Sequence, residues 1–498
     1  MMRLSTIVEQ LTAEGLVLEF SPGETDLFDR AEIDSREIEP HNCFVAIHGH
    51  DADGHMFIDK AVKNGAVAIV CEVTPEISRE GFPGVALVHV TNSRQALLRI
   101  AATQNQNPAE DMVLVGTTGT NGKTTVATLI RHVLEFNGRP CGFIGTTEYA
   151  YGSTSYSARE TTPSALRVYQ LLAEMKSAGF NSCSMEVSSH ALDQWRVNVS
   201  DFDIAVFTNL TRDHLDYHGT ESAYLGAKKR LFDGMEANSS AVVNIDDPAA
   251  LELIKGISAK TLTFGTHPQA EVRYEIVQDR IEGLQIQIDG RTLTSRLVGH
   301  FNAGNLAAAY ACSLSLDVAP DKIIEALEIA APVPGRFELF HGHGGKSIVV
   351  DYAHTPDALE NVLNAAKRIT PTDSRLWCVF GCGGDRDTGK RSTMGQIAEN
   401  LADCVIVTSD NPRTEDPQAI MDDVAEGFSH PEKARFIVDR REAIDCAASR
   451  SGPTDLIVVA GKGHETVQVI GTTSIPFDDR KEVQRAFDIG TNHLELNG

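Results

Sequence analysis

Positive charge is scarce in this 498-residue chain: 44 lysines and arginines face 69 aspartates and glutamates, a formal net charge of -25. That balance excludes broad non-specific attraction to nucleic acid or to anionic membranes, and it favours solubility without naming a partner. Long apolar runs are also missing. Stretches such as residues 66–71 (AVAIVC) fall far short of the roughly 20 residues that a membrane-spanning helix needs. Residues 1–10 alternate polar and apolar side chains, which predicts no secretory signal and, with it, a cytoplasmic protein. The nine cysteines are scattered and contain no Cys-x-x-Cys pair, so neither a zinc ribbon nor a disulfide framework is expected. There is no short-period repeat and no low-complexity tract. What is present, 42% apolar residues with 40 glycines and 19 prolines, is enough to bury real cores.

At roughly 150 residues per domain the length predicts about three domains. Two stretches read as joints: the polar QNQNPAED at 104–111, and APVPGR at 331–336, whose prolines and glycine end a helical pattern over 321–330. They predict domains at 1–108, 109–333 and 334–498. The second and third pieces alternate short apolar strands with longer helical patterns, which predicts a mainly parallel α/β architecture. The expected strands are 112–116, 182–187, 204–208 and 241–244 in the middle piece. In the last piece they are 347–352, 376–380, 404–408 and 456–460. Their continuous β-branched character suits strands covered on both faces.

Between the strand 112–116 and a helical segment at 125–136 lies TTGTNGKTT, residues 117–125. Small residues let backbone N–H groups close around a phosphate, Lys123 adds a mobile positive charge, and Thr124 offers a hydroxyl to Mg²⁺. The first position of the usual phosphate-loop pattern is Thr117 here, with Gly116 just before it, so an ordinary glycine-rich turn is the alternative reading. Glu186 ends one apolar strand and His214 lies just beyond another; parallel strands deliver both to the edge that carries the loop. Each is open to a plainer reading, Glu186 as a helix N-terminal acid and His214 as a solvated loop residue. Lys228 and Lys229 sit on a helical stretch. They read either as a solvated basic face or as the source of a reactive lysine, because an amine of depressed pKa combines with CO₂ to give a metal-binding carbamate.

Taken in order, GTTGTNGKTT, MEVSSHALDQWR, TNLTRDHLDYHG, AKKRLF, HFNAGNLAAA, PGRFE, DYAHTPDAL, FGCGGDRDTGKR, SDNPRTEDP and AGKGHE resemble the Mur ligases of bacterial peptidoglycan synthesis. DSRE near residue 34 and GHDADGH near residue 50 extend the likeness over essentially the whole chain. The resemblance implies an N-terminal domain for a UDP-linked substrate, a central P-loop-type ATPase domain and a C-terminal Rossmann-like domain with the amino-acid site. It implies an ATP-dependent, amide-forming ligase acting through an acyl phosphate. Within the family the pattern is similar to the type that adds meso-2,6-diaminopimelate to UDP-N-acetylmuramoyl-L-alanyl-D-glutamate. The implied ligands are small molecules, with no nucleic acid, no membrane and a monomer needing no protein partner.

Residue by residue, the resemblance places Gly119, Thr120, Asn121, Gly122, Lys123, Thr124, Thr125, Asn302, Asn305, Arg336, Asp351 and His354 at ATP. Thr124, Glu186, His214 and Lys228 are implied for Mg²⁺, Lys228 as the carbamylated lysine, and Lys123, Glu186, His214 and Lys228 as the catalytic set. For the UDP-linked dipeptide the matching positions are Ile33, Ser35, His50, Asp51, Ala52, Thr161, Thr162, Ser188, Gln194 and Arg196. For diaminopimelate they are Arg386, Asp410, Asn411, Pro412, Arg413, Gly461 and Glu465. The planar fork of Arg413 suits a distal carboxylate, which a lysine substrate lacks, and Glu465 suits an ammonium. The rival readings are a folylpolyglutamate synthetase, a lysine-adding ligase, and a catalytically silent ATP-binding scaffold.

Overall fold

The computed structural model describes residues 1–49, 52–73, 82–342 and 345–495. It contains three α/β layers built on three separate large sheets. The N-terminal sheet has five strands in the spatial order Val17–Ser21, Ala86–Val90, Ala68–Cys71, Cys43–Val45, Ala31–Glu32, parallel except for the first pair. Leu4, Ile7 and Leu11 of the helix Leu4–Ala13 and Leu97 and Ile100 of the helix Ser93–Gln104 cover one face. The apolar spacing of these residues at three and four positions aims them at one side of each helix.

The central sheet has eleven strands. Seven run parallel in the order Cys141–Ile144, Ser182–Glu186, Val113–Thr118, Ile204–Phe207, Ser240–Asn244, Lys260–Gly265, Val272–Arg280. Antiparallel strands extend both edges: Glu148–Tyr151 with Thr154–Ser157 on one side, Gly283–Ile288 with Arg291–Ser295 on the other. No strand is expected from sequence in these wings. Their alternating polar and apolar residues give half-buried strands, which lack the continuous apolar run of a strand covered on both faces. Helices Lys123–Phe136 and Phe301–Ser315 pack on one face and Ala165–Ser177 and Glu221–Asp233 on the other.

The C-terminal sheet runs Glu338–His341, Ser347–Asp351, Leu456–Ala460, Leu376–Phe380, Cys404–Thr408, Arg435–Ile437, parallel after an antiparallel first pair. It is the Rossmann-like layer the motifs imply. All eight strands expected in the middle and last pieces are present, three with the expected bounds and the rest with ends shifted by one or two residues. One boundary differs in an informative way. The helix expected from residue 125 begins at Lys123, because Gly122 caps it in the left-handed conformation at φ 85°. That early start leaves the N–H groups of Lys123 and Thr124 in the first turn, without intrahelical acceptors and aimed out of the helix end. Among the described residues no helix is long and apolar enough to cross a membrane.

Candidate active site

Three neighbouring parallel strands, Ser182–Glu186, Val113–Thr118 and Ile204–Phe207, end on one edge, with Glu186 in register with Thr117 and Phe207 with Thr118. The loop leaving the middle strand is tightly constrained. A Cβ on Gly119 would stand 1.9 Å from Thr208 Oγ1, and one on Gly122 2.4 Å from Asn305 Oδ1. Asn121 N donates to Asn209 Oδ1 at 2.9 Å, and Thr120 Oγ1 meets the hydroxyl of Tyr224 at 3.1 Å. Lys123 Nζ folds back to donate to the carbonyls of Gly119 (3.0 Å) and Thr120 (2.9 Å). Desolvation pulls this lysine below its ordinary pKa, against the attraction of Glu186 and Asp213. The helix that follows carries Thr125, which is buried and faces inward.

Glu186 is fully buried, and its carboxylate accepts from Thr146 N (2.7 Å), Thr146 Oγ1 (3.0 Å) and Thr124 Oγ1 (3.0 Å). The Thr124 hydroxyl and this carboxylate form a pair of hard oxygen donors of the kind Mg²⁺ prefers. Lys228 is 1% exposed, donates to the Gly119 carbonyl at 2.8 Å, and sits 4.4 Å from the centre of the Tyr224 ring. Burial, reinforced by Lys123, lowers its pKa well below the usual lysine value. Its neighbour Lys229 instead bonds surface carbonyls and Asp233, so the structure separates two lysines that sequence spacing leaves equivalent. His214 caps the helix Leu215–His218 at φ 53°, beside Tyr224 and His190, its pKa lowered by burial.

The C-terminal layer closes over this edge. Arg336 Nη2 donates to Thr124 Oγ1 at 3.1 Å while its guanidinium lies 4.6 Å above the Tyr352 ring. Asp351 spends both oxygens on backbone N–H groups, those of Phe337 (2.6 Å) and Ala353 (2.7 Å), and so holds the Arg336 segment in place. His354 is exposed, with Nδ1 at 2.9 Å from the Tyr352 carbonyl. Asn302 and Asn305 are buried and joined to each other at 2.8 Å. Asp357 accepts from Asn121 Nδ2 and Thr211 Oγ1, both at 2.9 Å, tying a C-terminal helix to the phosphate loop.

Beside Glu186, Thr162 Oγ1 donates to the Glu186 carbonyl (2.7 Å) and accepts from Ser188 N (3.1 Å). Thr161 meets Thr146 at 3.1 Å. Arg196 bonds the Thr162 carbonyl and Gln194 Oε1, and pairs with Glu160 at 2.8 Å. These five positions thus form one cluster. Ile33, Ser35 and Ala52 lie in the N-terminal layer: Ile33 packs on its core and Ser35 is buried. His50 and Asp51 lie outside the described residues. In the adjoining loop, His55 accepts the Glu72 N–H at Nε2 (3.0 Å) and meets Asp53 at Nδ1 (2.7 Å). Both ring nitrogens are therefore engaged in bracing the loop.

On the C-terminal sheet, the loops after Phe380, Thr408 and Ala460 share one strand edge. Arg413, at φ 52°, donates to the Gly384 carbonyl at 2.7 Å, and a Cβ on Gly384 would overlap the Pro412 carbonyl. Asp410 and Asn411 are buried, Gly461 (φ 119°) passes close to Asp410, and Arg386 is exposed. Glu465 Oε2 accepts from Asn411 Nδ2 at 2.9 Å. Further residues, to which the sequence motifs assign no role, stand near these groups. Thr146 and Asp357 bridge the layers, and His464 stacks near Tyr352 with its pKa held at about 4 by burial. Lys462 is fully buried among Asp410, Asn411 and Glu465. Arg94 donates to the His48 carbonyl within the N-terminal layer, its pKa lowered by burial. Lys462 and His464 lie within AGKGHE and Asp357 within DYAHTPDAL, but their burial and partners are decided by what surrounds them.

Comparison with known proteins agrees with this arrangement. Family models match for the Mur ligase family catalytic domain (residues 30–108), the Mur ligase middle domain (117–313) and the Mur ligase glutamate ligase domain (335–463). The chain is 41% identical over 456 residues to the UDP-N-acetylmuramoyl-L-alanyl-D-glutamate--2,6-diaminopimelate ligase of Parabacteroides distasonis, covering 91% of this chain and 93% of that one. It is 39% identical over 486 residues to the enzyme of the same name from Alkaliphilus metalliredigens, 96% of each. A solved structure of a ligase of that name superposes with TM-score 0.66 at 35% identity, covering 93% of this chain and 95% of that chain. MurF from Acinetobacter baumannii, at 18% identity and TM-score 0.62 over 98% and 99% of the two chains, shares the fold. With these matches spanning nearly all its length and the motifs converging on one interlayer edge, the chain belongs to the Mur ligase family.

Proposed function

We propose that this chain is an ATP-dependent ligase that adds meso-2,6-diaminopimelate to UDP-N-acetylmuramoyl-L-alanyl-D-glutamate in peptidoglycan precursor synthesis. It would act in the cytoplasm as a monomer, with domains at 1–108, 109–333 and 334–498. The observation that carries the reading is the 3.1 Å bond from Arg336 to Thr124, which brings the loop edge of the C-terminal sheet over the phosphate loop. Two reactants held on separate layers meet there, and positioning of this kind supplies much of a ligase's rate.

In the first step an oxygen of the D-glutamyl γ-carboxylate bonds to the γ-phosphorus of ATP, and the bond from that phosphorus to the β,γ-bridging oxygen breaks, releasing ADP. In the second, the amine of diaminopimelate attacks the acyl carbon, loses a proton, and the C–O bond to phosphate breaks. Gly119 to Thr125 cradle the phosphates through backbone N–H groups, and Lys123 and Arg336 stand where negative charge moves between oxygens. Asn302 and Asn305 support the loop from beneath, with Asp351 and His354 beside the nucleotide. Thr124, Glu186, His214 and Lys228 as its carbamate are the residues that would hold Mg²⁺, which supplies charge neutralisation at the phosphates.

Thr161, Thr162, Ser188, Gln194 and Arg196 take the peptide end of the UDP substrate, with Ile33, Ser35, His50, Asp51 and Ala52 at its nucleotide end. Arg413 and Arg386 take carboxylate of the incoming amino acid, with Asp410, Asn411, Pro412, Gly461 and Glu465 completing that pocket. The test is product formation from UDP-N-acetylmuramoyl-L-alanyl-D-glutamate, ATP and meso-diaminopimelate, with lysine as the control acceptor. A tripeptide product with diaminopimelate alone is expected; its absence, or equal turnover of lysine, overturns the reading.

A further inference from the structure

The buried lysine of the C-terminal loop has no part in the chemistry described above. The side chain of Lys462 is 0% exposed, yet it stands at the rim of the amino-acid pocket, two residues before His464. Its Nζ lies 2.9 Å from Glu465 Oε2, 3.1 Å from Asn411 Oδ1 and 3.6 Å from Asp410 Oδ1. The turn that brings it there is closed by Glu465 N donating to the Lys462 carbonyl at 2.9 Å, with Gly463 in the left-handed region at φ 53°. Asn411 Nδ2 donates to the same Glu465 oxygen at 2.9 Å, and Asn411 Oδ1 also accepts from Val469 N at 3.0 Å. One oxygen of Glu465 is thus held by two donors from two loops. The other, Oε1, accepts no hydrogen bond among the described residues.

A fully buried ammonium is costly, and a well-packed apolar side chain of similar volume is often as stable or more so. Structural need alone does not account for a charge at this position. Electrostatics does. Without Lys462, the carboxylates of Asp410 and Glu465 would sit close together beneath the pocket, with Arg440 near both but already paired with Asp479, and the pocket would favour a doubly cationic ligand. Resting on the proposed diaminopimelate reaction, we infer that Lys462 is a positioning and specificity residue. It pins Glu465 so that Oε1 faces the ligand's ammonium, and it cancels one of the two acids, so the pocket takes an amino acid ending in an ammonium and a carboxylate in preference to one ending in an ammonium alone. Lys462 itself touches neither reactant.

The full chain with Lys462→Met, Glu465→Gln and the double substitution tests this in the amide-forming assay. In Lys462→Met, KM for diaminopimelate is expected to rise about tenfold or more, the scale of losing a hydrogen bond to a charged group, with KM for ATP changed by less than about twofold. The preference for diaminopimelate over lysine falls with it, a change that general loosening would not produce. The double variant is expected to be no worse than Glu465→Gln alone, because Lys462 acts through that carboxylate. Additive losses, or an unchanged KM for diaminopimelate in a folded Lys462→Met, overturn the inference. If the Met variant does not fold, Lys462→Gln is read in the same cycle; failure of both to fold makes Lys462 a residue of the core and also overturns it. An unmodified protein inactive with diaminopimelate refutes the proposed reaction and this inference with it, whereas an active parent with an unaffected variant refutes the inference alone.

Discussion

Lys228 Nζ donates to the carbonyl oxygen of Gly119 at 2.8 Å, joining the helix Glu221–Asp233 to the phosphate loop across 109 residues of sequence. Burial lowers the pKa of an amine held there and so shifts it toward the uncharged form, the form that reacts with CO₂. Replacement by alanine is expected to lower kcat by on the order of 100-fold or more, the scale of losing one charge-stabilising group. Added formate or acetate should restore part of it by standing in for the carbamate. Steady-state rates with and without the carboxylate check this, and full activity of the unsupplemented variant would count against the carbamate.

Gly119 has no room for a side chain: at φ 148° its Cβ would overlap Thr208 Oγ1. Gly119→Ala should therefore distort the loop, costing about 2 kcal/mol of stability. It should also abolish the rise in melting temperature that ATP gives the parent. Thermal denaturation with and without ATP measures both, and an undiminished ATP-dependent shift would show that the loop does not hold the nucleotide.

Arg413→Ala is expected to raise KM for diaminopimelate by a factor of about 30 or more, since truncating one partner of a buried charge pair costs about 2 to 5 kcal/mol. KM for ATP should stay within about twofold, because the two sites lie on different layers. Equal diaminopimelate KM values in parent and variant would remove Arg413 from the pocket.

Arg440 and Asp479 form a bidentate pair with both side chains at 0% exposure, docking the helix Asp479–Glu495 against Arg440–Arg450. Asp479→Ala leaves an uncompensated buried guanidinium and should destabilise the C-terminal layer by about 3 to 5 kcal/mol. The double change Arg440→Met with Asp479→Leu should cost less than the single one. Urea denaturation read at Trp377 fluorescence in a Trp195→Phe background decides it; a single variant as stable as that parent would contradict the pairing.

Asp357 holds the C-terminal layer to Asn121 and Thr211. In Asp357→Ala the layer should swing more freely, giving a larger radius of gyration by small-angle scattering and a lower kcat. Superimposable scattering curves would show that other contacts close the molecule.

Much was legible before folding is considered, because its causes are local. The glycines and threonines of residues 117–125 determine a phosphate loop wherever a strand precedes and a helix follows, and continuous β-branched runs mark eight of the strands in the two parallel layers. The antiparallel wings at 148–157 and 283–295 were not legible, since half-buried alternation resembles ordinary surface chain. Lys228 and Lys229 are chemically alike in sequence. The sheet order decides between them: Val113–Thr118 lies between Ser182–Glu186 and Ile204–Phe207, so the helix after the latter turns only Lys228 toward Gly119. Lys462, Thr146 and Asp357 owe their surroundings to strands and loops tens to hundreds of residues away. The sequence by itself determined the chemistry available at each motif, because backbone conformation and side-chain type act over a few residues. Only the tertiary structure decided which groups are buried and paired, because burial and electrostatic coupling depend on neighbours that the order of strands brings together.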